Sequence, residues 1–257
     1  MDTAHPIWQG NVCCDAVLAL ASIYGMIDEQ SMNALGFSFC SEDLFALPTG
    51  ALHWPAQSTL VVSDLHLGKS MRNARFGGAQ LPPYETTETL TRLANDLSYT
   101  RAKRVICLGD SFDCIHSPAQ LPEADLLTIA SMQAGRDWLW IEGNHDPGPI
   151  GLGGTHLAQT KIDPLTFRHI CETSASPGEV SGHFHPKASL PLRGRLLTRP
   201  CFLFDDTRLI MPAYGAFTGG LYCHAPALTN KMSPKAEAIL TGAKPCRIPM
   251  PRRAPLP

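Results

Sequence analysis

From Phe37 onward, short apolar runs alternate with polar turns. Phe37–Phe39, Leu44–Leu47 and Thr59–Ser63 are such runs, punctuated by Gly50 and Pro55, and the third ends at Asp64. Their length and turn-rich flanks predict β-strands. Behind Pro82 and Pro83, apolar Leu90, Leu93, Ala94 and Leu97 recur at three- and four-residue steps, the spacing of one buried helix face. Arg104–Leu108 reads as a strand running into Gly109-Asp110. A helix over about Pro122–Ala134 follows, then a strand at Trp138–Ile141 that empties into Gly143-Asn144-His145-Asp146. The chain is loop-rich from Pro147 through Gly154, and a further strand is expected to end in Gly182-His183-Phe184-His185. Cys201–Phe204 and Arg208–Met211 flank Asp205-Asp206 as a hairpin, and from Lys244 Pro and Arg predict a frayed tail.

Strands that alternate with helices predict α/β with helices covering a sheet, and the late run of strands predicts a second sheet. No internal repeat is visible. Residues 1–35 match no later pattern and are taken as an N-terminal extension, 36–250 as a catalytic domain and 251–257 as a frayed tail.

Composition narrows the setting. The 257 residues are 44% hydrophobic and 17% charged, sufficient for one large core. A formal net charge of -2 announces neither a nucleic-acid nor a membrane binder, so any polyanion site must be a local patch. The first 68 residues hold no Lys or Arg, which speaks against a secretory signal around the apolar Ala16–Ile27 run. No apolar stretch reaches about 18 residues, the span of a membrane helix. Nine cysteines, an odd number without a Cys-x-x-Cys spacing, read as reduced thiols of a soluble cytoplasmic protein.

Four blocks carry candidate chemistry. Asp64 and His66 in DLHLGK (64–69) are two apart, as are His183 and His185 in SGHFHP (181–186), and in extended backbone both members of each pair would face one ion. Asp110 follows a glycine in LGDSFD (108–113). EGNHD (142–146) adds Asn144, His145 and Asp146, though such a turn also suits an Asx cap. Imidazole and carboxylate donors suit manganese, iron or zinc better than calcium.

Asp-x-His, Gly-Asp, Gly-Asn-His-Asp and Gly-His-x-His, in this order and at strand ends, resemble the signature of calcineurin-like metallophosphoesterases over about residues 37–250. With FGGAQLP (76–82) and MPAYGAFTGGL (211–221), the blocks look most like the ligase-associated DNA damage response endonucleases of the PdeM type. The resemblance implies a four-layer α-β-β-α sandwich of two mixed sheets. It implies two divalent ions, manganese first, with Asp64, His66, Asp110 and His185 around one. Asp110 would bridge to a second ion that also takes Asn144, His169 and His183. His156 competes with His169 for that last place.

The ions would activate a hydroxide for in-line attack on phosphorus. His145 would serve the leaving oxygen, and Asp146 would orient its ring. Asp113 departs from the subfamily pattern; with His116 it is assigned an orienting role behind the ligands. DNA is the implied substrate, and a DNA ligase and a helicase the implied pathway associates. Lys69, Arg72, Arg75, Lys187, Arg193, Arg195 and Arg199 flank the ligand blocks, as a phosphate-backbone track or as ordinary surface. The competing readings are a small-molecule phosphoesterase with the same metal chemistry and a non-catalytic binding module.

Overall fold

The computed structural model describes residues 33–70, 84–174, 176–192 and 194–254. Nearly all of the expected N-terminal extension, as well as Arg72, Arg75, Arg193 and the FGGAQLP segment, lies outside the described residues.

Seven strands form the first sheet in sequence order: β1 (Leu35–Phe39), β2 (Glu42–Ala46), β3 (Leu52–Trp54), β4 (Thr59–Val62), β5 (Arg104–Leu108), β6 (Asp137–Ile141) and β7 (Thr155–Leu157). β1 to β4 pair antiparallel, whereas β4 to β7 pair parallel. Helices α1 (Glu85–Thr100) and α2 (Glu123–Gln133) make the parallel crossovers. The second sheet draws on β8 (Gln159–Ile162), β9 (Leu165–Arg168), β10 (Glu179–Ser181), β11 (Lys187–Leu192), β12 (Arg195–Phe204), β13 (Arg208–Ile210), β14 (Glu237–Leu240) and β15 (Cys246–Pro249). Its spatial order is β15-β14-β12-β13-β10-β9-β8, with β11 hung on β12 alone as a hairpin arm. Both sheets are mixed, as expected.

Period-two alternation sorts the strand side chains into layers. Leu60 and Val62 of β4 and Val105 and Cys107 of β5 pack under Leu90, Leu93, Leu97 and Ile129 of the helices. Val61, Ile106 and Leu108 point the other way and meet Phe167, Val180, Phe202 and Leu209 of the second sheet. Beyond that sheet, Leu203, Ile210 and Ala238 are covered by Leu228 of the short helix α3 (Pro226–Thr229), with Met232 and Met250. The outer layer is therefore thin.

Three stretches depart from the sequence reading. β7, β8 and β9 lie between the loop-rich stretch and the strand expected before Gly182, which is β10, where no element was expected, and Cys201–Phe204 is the end of the longer β12. The chain after Lys244 is not frayed throughout: β15 pairs antiparallel with β14. Past it, the Arg252 guanidinium donates to the carbonyls of Thr229 (3.1 Å), Met232 (3.2 Å) and Ser233. Among the described residues no helix is long and apolar enough to cross a membrane.

Candidate metal centre

The parallel strands of both sheets end at one rim. Asp64, Asp110 and Asn144 follow β4, β5 and β6, while His169 and His183 follow β9 and β10, whose pairing is also parallel. Crevices beyond the carboxyl ends of parallel strands are where open α/β sheets place ligands.

The expected extended geometry of the paired ligands is corrected. Asp64 (φ 53), His66 (φ 48), Asp110 (φ 46), His183 (φ 69) and His185 (φ 46) all adopt left-handed backbone. The cause is tertiary: after β4 the chain is fastened by Asp64 N to Gly109 O (3.2 Å), His66 N to Asp110 O (2.9 Å) and Leu67 N to Ser111 O (3.0 Å). Non-glycine residues in this region carry strain of about 1–3 kcal/mol each, and such strain gathers at functional sites.

Among the described residues the side chains gather in two groups, Asp64–His66–His185 and Asp110–His169–His183, and a third, His66–Asp113–His145, shares His66 with the first. In the first, Asp64 Oδ2 accepts from the Ser63 hydroxyl and from His183 N (3.0 Å), which leaves Oδ1 for the site. Oδ1 lies 3.0 Å from His185 Nε2, yet neither atom is aligned for a hydrogen bond, and both are buried. In the second, His169 Nδ1 donates to Leu108 O (2.8 Å), which turns Nε2 toward the site. That Nε2 lies 2.9 Å from Asn144 Oδ1, 3.3 Å from His183 Nδ1 and 3.3 Å from Asp110 Oδ2. Imidazole together with carboxylate and amide oxygen fits a first-row divalent ion.

His156, the competitor to His169, lies on β7 with its ring stacked on Trp140 at 6.4 Å. Half-buried there, it joins none of the candidate groups.

His145 and Asp146 divide their work differently from the expectation. His145 Nδ1 bonds the Asp113 carbonyl at 2.9 Å, and its ring meets His66 edge-on with centroids 5.2 Å apart. Asp146 does not orient that ring. Its carboxylate accepts from Asp110 N (3.0 Å), Gly143 N (3.1 Å), Ser111 N (2.8 Å) and Phe112 N (3.1 Å), stapling the exit of β5 to that of β6. The Asp113 carboxylate lies 3.4 Å from His66 Nδ1. His116 is exposed on the adjoining loop.

Burial pushes the Asp110 carboxyl up, but His169, with the N–H and ring of His145, outweighs it and holds the group below the usual carboxylate range. Asp64 is likewise lowered: burial opposes, and the His185 and His169 imidazoles and Ser63 prevail. Asp146 goes the other way, to about 6, through burial and the Asp110 charge, against its backbone donors. Among the described residues, imidazoles alone form ion pairs with Asp64 and Asp110. Lys69 instead reaches Phe217 O at 3.4 Å.

The stretch 211–221 proves to be a clasp, a part the sequence reading left without a mechanism. Met211 N bonds Ser181 O (2.7 Å), Tyr214 N bonds Ser63 O (2.8 Å) and Gly215 N bonds Asp64 O (3.1 Å). Buried Tyr214 donates its hydroxyl to Asp96 Oδ2 of α1 at 2.9 Å. The clasp thus fixes the ends of β4 and β10, one from each sheet. Beside the second donor group, a cavity of ≈ 440 Å³ is lined by Glu142, Asn144, Gln159, Arg168, His169 and Ile170, among others.

No protein-family model and no curated protein matches the chain. Among solved structures, the chain is similar to a nuclease named MPE from Pseudomonas putida, known from its crystal structure. Identity is 27% with a TM-score of 0.62, over 83% of this chain and 100% of the nuclease. The fold is the two-sheet metallophosphoesterase sandwich that the sequence resemblance implied.

Proposed function

We propose that this chain is a metal-dependent phosphodiesterase that cleaves DNA. The observation that carries the reading is the convergence of Asp64, His66 and His185, beside Asp110, His169, His183 and Asn144, as carboxylate, imidazole and amide-oxygen atoms brought close to one another. Those seven residues would hold two divalent ions. When bound, such ions polarise phosphoryl oxygens and lower the pKa of water.

The chain's own side chains supply the rest. With Nδ1 engaged by the Asp113 carbonyl, His145 has Nε2 free to protonate or neutralise the leaving oxygen. Asp146 holds the backbone that carries Asp110, Asn144 and His145. A nuclease among similar structures supports a nucleic-acid substrate. The sequence resemblance extends the reading to manganese, to the DNA damage response and to association with a ligase and a helicase.

The test is incubation of purified, manganese-loaded protein with single-stranded circular DNA, beside nucleotide monoesters and small phosphodiesters. Cutting of the circle that Asp110→Ala abolishes is the expected result. An intact circle with turnover of small esters would move the substrate to small molecules and leave the metal chemistry in place.

A further inference from the structure

Past His185 the chain builds a second feature that the metal chemistry does not use. Residues 221–223 run beside 184–187: Leu221 N donates to Phe184 O (3.3 Å), Lys187 N to Leu221 O (2.8 Å) and Cys223 N to Lys187 O (2.9 Å). Tyr222 and Lys187 form a parallel bridge there. The Tyr222 ring is 46% exposed and stacks on His224, with centroids 5.3 Å apart and planes 17° from parallel. Both rings line a cavity of ≈ 330 Å³ together with Lys187, Ser189, Pro191 and Arg253. Among the described residues the lining contains two cations and no carboxylate.

We infer that this cavity is a nucleoside subsite, in which the base beside the scissile phosphate stacks on Tyr222 while Lys187 and Arg253 hold neighbouring phosphates. The inference rests on the phosphodiesterase reading and adds to it the grip on the nucleic acid.

Three physical points support it. An exposed tyrosine held flat by a second ring is a stacking platform already in place, so little side-chain freedom is lost on binding. Two cations without an acid complement a phosphodiester backbone and little else of comparable size. Position matches as well: Leu221 N bonds Phe184 O and Lys187 N bonds Leu221 O, so the strip that carries Tyr222 is fastened directly beside His185.

The probe is a short oligodeoxynucleotide carrying aminopurine, whose fluorescence is quenched by stacking. With manganese-loaded protein, Tyr222→Ala should lose the quench and raise KM for the oligonucleotide roughly 5- to 150-fold, with kcat falling far less. Tyr222→Phe should restore both. Lys187→Ala and Arg253→Ala should each lower the slope of log affinity against log salt by about one.

Undiminished quench and unchanged KM in Tyr222→Ala would overturn the subsite. A wild-type protein that hydrolyses neither the oligonucleotide nor bis-p-nitrophenyl phosphate would overturn the phosphodiesterase reading instead.

Discussion

Gly109→Ala would displace a candidate ligand while leaving the chemistry of every ligand intact. Gly109 sits at φ +76, where a side chain costs about 1–2 kcal/mol of backbone strain. An added Cβ would lie 2.6 Å from both Cγ and Nδ1 of His169, whereas ordinary contact begins at 3.4 Å. The imidazole must therefore retreat by close to 1 Å, a misplacement that costs about 10²-fold in rate. Retreat also stretches the bond from His169 Nδ1 to Leu108 O that orients the ring, and loss of such support weakens metal affinity about 10–100-fold.

The assay is kcat/KM on bis-p-nitrophenyl phosphate, with bound metal measured by mass spectrometry and the melting temperature recorded. Expected are a fall of about 2–8 °C in Tm, reduced metal content and a rate loss of about 10²-fold or more. Gly219→Ala is the control, because a methyl there meets nothing within 4 Å. A Gly109→Ala protein with wild-type metal content and turnover would refute the placement of His169.

Asp110→Ala should lose bound metal and turnover together, whereas His145→Ala should keep its metal and lose about 10²–10⁴ in kcat; a wild-type rate in the latter would remove His145 from the leaving-group role. Tyr214→Phe withdraws a donor from buried Asp96, leaving the Thr49 hydroxyl at 2.6 Å on the same oxygen. The expected cost is about 1–3 kcal/mol, read as a lower Tm at about 2–4 °C per kcal/mol. Burial lowers the pKa of His53, so the folded state favours the neutral ring. Its stability contribution is present above about pH 6.5 and is lost as pH falls through the lowered value. His53→Gln should accordingly gain on the wild type in thermal melts as pH drops from about 7 to 5, and a constant gap in Tm would contradict the assignment.

The strands legible in the sequence are those buried on both faces. β4, β5 and β6 are continuous apolar runs because helices cover one side and the second sheet the other. Edge strands give no such signal: β8 shows an exposed Gln159 and Lys161, and β15 pairs on one side only. β11 and β12 each contain a proline, Pro191 and Pro200, which argues against a strand on local grounds. At the site, residue types and their order pointed to the side chains that gather in the candidate donor groups. The left-handed backbones did not follow from order, because partners at Gly109 and Asp110 impose them from another strand. Nor did the role of Asp146, three of whose four donors lie more than thirty residues away in sequence. Packing places His169 in a candidate donor group and His156 against Trp140, a difference that residue order does not carry.

Five left-handed residues around two buried carboxylates would be a poor arrangement if nothing bound there. At about 1–3 kcal/mol each, their backbones together store a sizeable share of a typical folding stability. The groups they bring together are crowded: Asp64 Oδ1 lies 3.0 Å from His185 Nε2 with neither atom aligned for a hydrogen bond, and His169 Nε2 lies within 3.3 Å of Asn144, His183 and Asp110 at once. Divalent ions bound to the native state alone would offset this strain, each contributing about 2.7 kcal/mol at one hundred times its dissociation constant. Chelation at fixed pH and ionic strength should then lower Tm by several degrees for each ion removed, with recovery on adding manganese. The Asp110→Ala protein should melt at one temperature with or without the chelator. A wild-type Tm that chelation leaves unmoved, in protein shown to have lost its metal, would mean that the ions do not hold this rim together, and the strain at Asp64, His66, Asp110, His183 and His185 would need another source.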